Sequence, residues 1–255
     1  MKLTKKLAGI TSLAIAAGMF IAPVDGDARG FGYGRGMGGG QQAGMSTIIA
    51  NLPVQDLSAT EELGITKMRE EEKLARDVYQ VLYAKWKLQS FSAIAESEQR
   101  HMDSVKLILD KYNMVDPAAD SAPGVFGDQE LQELYNSLVE QGQKSLVEAL
   151  KVGATIEDLD IKDLYDLIEQ TDNTDIQTVY QNLVKGSRNH MRTFINQLSM
   201  NNATYEAQFL TAEQIDDIVT SPRERGRVDE NGDVVQMAGQ GRKGGRGLRS
   251  GSFMN

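Results

Sequence analysis

The chain has 255 residues, 40% of them apolar and 25% charged, the composition of an ordinary globular protein with one large domain or two small ones. It has no Cys, which excludes a disulfide scaffold, a thiolate nucleophile, a zinc–thiolate site, an iron–sulfur cluster and a lipobox anchor. The net charge of −9 is unevenly spread: residues 46–220 hold 15 basic and 30 acidic side chains, whereas both flanks are basic, an arrangement that argues against phosphate-backbone binding by the middle and suits cations.

In chain order, Lys2, Lys5 and Lys6 precede an uncharged run of 16 residues, Leu7 to Ala22, and Gly26-Asp27-Ala28 follows with small residues at a cleavage spacing. The run falls short of the roughly 20 residues that a spanning helix needs. The pattern predicts a signal peptide over 1–28 and an exported protein (periplasm, cell surface or medium) with no stable membrane span after cleavage. A retained membrane anchor is the alternative. Residues 29–45 contain 8 glycines in 17 positions, and 238–252 contain 6 in 15 with four Lys or Arg among them. Neither stretch has apolar periodicity, so 29–45 and the basic tail 221–255 are expected to be disordered. Arg/Gly tails can touch polyanions, but export removes most nucleic-acid partners, so none is expected.

Residues 46–220 form a helical domain. Ser58-Ala59-Thr60-Glu61 has the pattern of a capping box and opens an apolar stripe at Met68, Ala75, Tyr79, Leu82 and Trp86. A short break at 87–90 leads to a second stripe, Phe91, Ile94, Ala95, Met102, Val105, Leu109 and Tyr112, and predicts an antiparallel helix pair. Pro117, Pro123, Gly124 and Gly127 mark a loop, after which Asp128 caps a shorter helix. Ser145-Leu146-Val147-Glu148 opens a third long stripe through Leu150, Ile161 and Leu164. Residues 172–175 break it, and a fourth runs through Ile176, Val179, Tyr180, Leu183, Phe194 and Leu198. A last short helix is expected at 211–219. No strand pattern stands out.

Each long stripe carries a residue that does not belong on a buried face. Glu98 is central on the second, with His101 one turn on. Glu157 is central on the third, with Asp160 one turn on. Ser187 is central on the fourth, with His190 beside it. On the first, Glu71 and Glu72 straddle the centre, and periodicity leaves the choice open. For any one residue, a core histidine or an edge acid paired with Arg76, Arg100, Arg188 or Arg192 explains the pattern. Together, several carboxylates and both histidines of the chain on four inward faces would repel or strand one another without a cation, so a divalent pair fits them better.

These residues resemble the ferritin-like superfamily of carboxylate-bridged di-metal proteins. Glu72-Lys-Leu-Ala-Arg-Asp-Val-Tyr79 is similar to the Glu-x-x-Ala-Arg-x-x-Tyr stretch of rubrerythrin-like first helices, and this selects Glu72 over Glu71. Glu98-x-x-His101 matches the second-helix ligand pair, Glu157 the third-helix carboxylate and His190 the fourth-helix histidine. Asp160 falls where some members place a further carboxylate. Ser187 departs from the pattern, since most members have Glu three residues before that histidine. More narrowly, Met68 to Tyr79, Ser97 to Met102, Gly153 to Ile161 and Gly186 to His190 resemble a bacterial and archaeal ferritin-like family known only as a domain of unknown function, with the Ser among its features. The resemblance implies an all-α, ferritin-like four-helix bundle with a long crossover carrying an extra short helix. It also implies metal ligation by Glu72, Glu98, His101, Glu157, His190 and Asp160.

The expected function is that of an exported di-metal protein, with two ions of iron (manganese or zinc being alternatives) and dioxygen or peroxide as the reacting partner of a ferroxidase- or peroxidase-like oxidoreductase. The alternatives are a non-catalytic metal-binding bundle at the cell surface and a structural bundle without metal. Tyr79, Tyr180 and Trp86 could pass electrons, but their stripe positions are better explained by core packing.

Overall fold

The computed structural model describes residues 39–235. Seven helices are present among them: α1 (Gly39–Asn51), α2 (Ala59–Trp86), α3 (Gln89–Lys111), α4 (Gln129–Gly142), α5 (Leu146–Glu169), α6 (Thr174–Met200) and α7 (Ala212–Thr220). The described residues contain no strand, only one isolated bridge between Val228 and Val234. The fold is all-α. No helix among them is long and apolar enough to cross a membrane.

Helices α2, α4 and α5 start where the sequence supplies side-chain oxygen acceptors for their free N–H groups, whereas α3 and α6 have no side-chain cap. Ser58 and Glu61 close the predicted capping box, with Glu61 N donating to Ser58 Oγ at 3.2 Å and Ser58 N donating to Glu61 Oε2 at 2.8 Å. Asp128 accepts from Leu131 N at 2.9 Å, and Ser145 from Glu148 N at 3.1 Å. Such a cap contributes about 1 kcal/mol. Only half of the predicted Ser145 box forms, because the Glu148 carboxylate turns to Gln141 and Lys151 instead.

Packing follows the apolar stripes. The most extensive helix contacts are α2 with α3 and α5 with α6, two pairs joined by the long crossover 112–145 that carries α4. Lys87, with a left-handed φ of 54°, turns the chain between α2 and α3. Between the pairs lies an apolar core in which the rings of Tyr79 and Phe91 each sit within 6 Å of Phe194 (5.4 and 5.8 Å between centroids). Phe194 fits because Gly153 faces it: a Cβ there would come within 2.4 Å of the ring. The crossover is tied to α2 by Lys73, whose Nζ donates to Asp77 (2.7 Å) and to the carbonyls of Ala122 (2.9 Å) and Val125 (3.1 Å). Gly124 N donates to the same Asp77 at 2.8 Å.

The flanks differ from the sequence expectation. Residues 39–45 belong to α1 rather than to a disordered segment, and Met45 and Ile49 are buried against the core. α1 packs on α3, whose Lys111 donates to the carbonyl of Ile49 in the last turn of α1 (3.0 Å) and to those of Leu52 (3.0 Å) and Pro53 (3.1 Å) just beyond it. Residues 221–235 are likewise held to the bundle rather than disordered. Arg188 and Arg192 both donate to the Glu224 carboxylate, and Val228 is buried. Tertiary partners order both stretches despite weak local propensity. The predicted signal peptide 1–28, residues 29–38 and the Gly/Arg-rich part of the tail from 236 lie outside the described residues.

Candidate metal centre

The four long helices each deliver their inward ionisable residue to one place. Glu72 comes from α2, Glu98 and His101 from α3, Glu157 from α5 and His190 from α6. All five are buried: the three glutamates are 2% exposed, His190 6% and His101 9%. His101 Nδ1 lies 2.7 Å from Glu98 Oε2 and 3.2 Å from Glu72 Oε2. His190 Nδ1 lies 2.8 Å from Glu98 Oε1 and 3.4 Å from Glu157 Oε2. The two imidazoles stack with centroids 5.6 Å apart. The result is two triads, Glu72–Glu98–His101 and Glu98–Glu157–His190, in each of which one potential ligand atom per residue lies within 4.8 Å of the others. Glu98 belongs to both.

Spacing on the helices explains the convergence. Glu98 and His101 are one turn apart on α3 and project together. His101 has room because Gly186 faces it across the bundle: a Cβ at 186 would come within 2.4 Å of His101 Nε2. Glu157 is steadied by Tyr79, two turns beyond Glu72 on the same face of α2, whose hydroxyl donates to Glu157 Oε1 at 2.5 Å.

The electrostatics are those of a site short of positive charge. Burial, then the neighbouring Asp160 and Glu98, pushes the Glu72 carboxyl well above its ordinary range. Burial and the nearby carboxylates of Glu157 and Glu98 do the same to Asp160. Glu157 is raised by burial and by Glu98 although His190 opposes it. Glu98 is the exception: burial works against its charge, but His190 and His101 together hold it below the usual carboxylate range. His190 in turn is pulled up to about 10 by Glu98 and Glu157, against the effect of burial. Burial and Glu157 keep the Tyr79 phenol protonated.

The donor set fits a pair of divalent ions. Glu72 Oε1, Glu98 Oε1 and His190 Nδ1 are buried with no hydrogen-bond partner, even though the last two are only 2.8 Å apart. Buried polar atoms are almost always paired. Unpaired carboxylate and imidazole atoms gathered in one buried cluster are suited to ligate a cation. Mixed carboxylate and imidazole donors suit iron, manganese or zinc.

Asp160 and Ser187 form a separate contact beside the triads. Ser187 Oγ lies 2.5 Å from Asp160 Oδ2 and 3.1 Å from the Leu183 carbonyl. A hydroxyl has one hydrogen, so both contacts are satisfied together when Asp160 is protonated and donates to Ser187. Asp160 is thus outside the two ligand triads, although it borders them. Glu71 is turned away from the centre, 3.5 Å from Lys67. Three of the four arginines considered as partners for the stripe acids bind elsewhere: Arg76 to Asp77 and Gln99, Arg188 and Arg192 to Glu224. Tyr79 and Gly186 were not on the sequence's ligand list. Their signals are the seven-residue spacing of Tyr79 from Glu72 and a glycine inside a helix, where it weakens the helix unless close packing needs it.

Residues 61–222 match the family described as "Uncharacterized protein domain (DUF2202)". The chain belongs to the DUF2202 family. Both triads, Tyr79, Asp160 and Ser187 fall inside the DUF2202 domain, whereas α1 and residues 223–235 flank it. The DUF2202 chain is 56% identical over 182 residues to "Uncharacterized protein MJ0754" of Methanocaldococcus jannaschii, a match covering 71% of this chain and 98% of that protein. It is similar to the crystal structure of hypothetical protein MJ0754 from Methanococcus jannaschii DSM 2661, with a TM-score of 0.67 and 56% identity over 68% of this chain and 99% of that one.

Proposed function

We propose that this protein is an exported, ferritin-like di-metal protein whose centre binds two divalent ions, iron foremost, and serves an oxidase or peroxidase reaction of the ferroxidase type. One observation carries the reading: five buried ligand residues on four helices, with unpartnered ligand atoms meeting at a carboxylate, Glu98, common to both triads. Two helix pairs linked by a long crossover, with an inward Glu on each first helix and Glu-x-x-His on one second helix, support the ferritin-like assignment. The departure is Ser187-x-x-His190 on the other second helix.

Iron bound there would supply one electron per ion to an oxidant. The chain's own residues do the rest. Glu72, Glu98 and His101 would hold one ion, and Glu98, Glu157 and His190 the other. Tyr79 orients Glu157 by its hydrogen bond and keeps a proton at its hydroxyl oxygen. Asp160 and Ser187 hold a further proton at the edge of the centre. The surrounding apolar core excludes bulk water, which strengthens each of these interactions. The Ser187 hydroxyl, a neutral and weak ligand in place of a carboxylate, favours as a second reading a non-catalytic metal-binding bundle.

Anaerobic Fe(II) loading followed by air, monitored by ultraviolet–visible absorption and metal analysis, separates the readings. The oxidase reading expects about two ions per chain and repeated turnover with added Fe(II). Stoichiometric binding without turnover supports the second reading, and no binding refutes both.

A further inference from the structure

A cavity lies between α2, α4 and α5, walled by Leu74, Leu131, Leu134, Leu138 and Ile156, with Asp160 also on its wall. Asp160 is the residue that meets Ser187, one turn before His190, so the cavity abuts the candidate metal centre. Its volume is about 20 Å³, room for one small molecule. Of the polar residues on its wall, Thr155 Oγ accepts from Gln208 Nε2 at 2.7 Å and Glu71 Oε1 lies 3.5 Å from Lys67, which leaves the buried Glu71 Oε2 as one unpaired acceptor. The surface presented to an occupant is apolar throughout. A water there would lack the two to four polar partners that hold buried water, and cavities of this kind stay dry and take up apolar gases. Hydrogen peroxide would have to shed its hydrogen bonds with water to enter, and dioxygen has none to lose.

We infer that this cavity is a binding site for dioxygen beside the carboxylate–histidine centre, with the crossover helix α4 as its outer wall. The inference rests on the oxidase reading and sharpens it, since it makes dioxygen rather than peroxide the oxidant. Overall, two Fe(II) ions would each lose one electron, and one dioxygen would gain two electrons and two protons and leave as hydrogen peroxide. The three α4 leucines at i, i+3 and i+7 set the width of the cavity, and Leu134 is the middle one.

Xenon, an apolar gas with no redox chemistry, is the probe. Crystals of the metal-free protein under xenon pressure are expected to show one xenon among Leu74, Leu134 and Ile156. Leu134→Trp should abolish it, and Leu134→Phe is the smaller filling if Trp unseats α4. In the iron-loaded full chain, the ratio of the dioxygen-driven to the peroxide-driven oxidation rate should fall severalfold in the filled variant at unchanged metal stoichiometry, and should not fall in Leu134→Ala. No xenon in the cavity, or an unchanged ratio in a filled variant with full metal content, would overturn the inference. Xenon bound where wild-type iron reacts with neither oxidant upholds the gas cavity and overturns the oxidase reading.

Discussion

The α2–α3 pair and the α5–α6 pair each bring a glutamate from the first helix and a histidine from the second, yet they differ one turn before the histidine. In α3 that position is Glu98, which reaches both histidines, with Nδ1 distances of 2.7 Å to His101 and 2.8 Å to His190. In α6 it is Ser187, which reaches only Asp160 and its own helix. The first pair therefore supplies a carboxylate common to both triads. The second pair draws its negative charge from α5 alone, through Glu157 and, one turn on, Asp160. Two pairs with similar packing can thus hold one charge cluster without equal shares in it, and the shared carboxylate is its most consequential member.

The largest expected effect follows from that sharing. Glu98→Ala should remove both ions, taking metal content from about two per chain to near zero, as read by plasma mass spectrometry on the purified protein. If one ion were retained, the halves would be independent and Glu98 not shared. Glu98→Gln, which keeps the shape, should lose metal equally.

A change outside the ligand set should separate the halves. Gly186→Ala places a Cβ where His101 Nε2 now sits 2.4 Å away. It should push that ring out of line and weaken the α2–α3 ion by about 10- to 100-fold, the range typical of altered ligand support. Calorimetric titration should find the other ion little changed.

The third prediction uses pH. Glu71, pushed up to about 8 by burial and Asp163, and Glu72, Glu157 and Asp160, raised by burial and neighbouring carboxylates, hold protons in the folded chain that the unfolded chain releases above the ordinary values of 4.5 for Glu and 3.8 for Asp. Folding stability of the metal-free protein should therefore fall as pH rises from there through about 8. His190 acts in the same direction: its stabilisation is complete below the ordinary value of 6.5 and is lost as pH rises through about 10. Glu98 opposes them, since its contribution is present above the ordinary carboxylate range and is lost as pH falls. Metal takes the place of the protons, so the rise in Tm on adding Mn(II) should grow between about pH 5 and pH 8. A metal-induced shift that shrinks with pH would contradict the charge reading of the centre.

The smallest effect should come from restoring the symmetry. Ser187→Glu supplies α6 with the carboxylate that α3 has, and should tighten the ion at Glu98, Glu157 and His190 while leaving the α2–α3 ion as it was. Asp160→Asn should change affinity less, because Asp160 lies outside the triads.

Much of this was legible in the sequence, and the rest was hidden for physical reasons. Helix starts at Ser58, Asp128 and Ser145, and the stripes they open, depend on neighbours within a few residues, so local pattern sufficed. The five residues of the candidate centre showed themselves as ionisable groups on apolar faces. The choice of Glu72 over Glu71 needed the family resemblance, because their difference in direction is set by how α2 is rotated in the bundle. The contacts of Tyr79 with Glu157 and of Ser187 with Asp160 cross between helices 78 and 27 residues apart in sequence, beyond any periodicity argument. Order at α1 and at 221–235 depends on Lys111, Arg188 and Arg192 reaching in from other helices. Glycine content and local charge could not reveal those partners.

The proposed function requires two ions that share one carboxylate, that of Glu98. Anomalous-difference maps from crystals loaded with Mn(II) or Fe(II) test it most directly. Two peaks are expected, one bounded by Glu72, Glu98 and His101 and the other by Glu98, Glu157 and His190, with Glu98 touching both. A single peak, peaks held by other residues, or a metal-free cluster in fully loaded protein would contradict it.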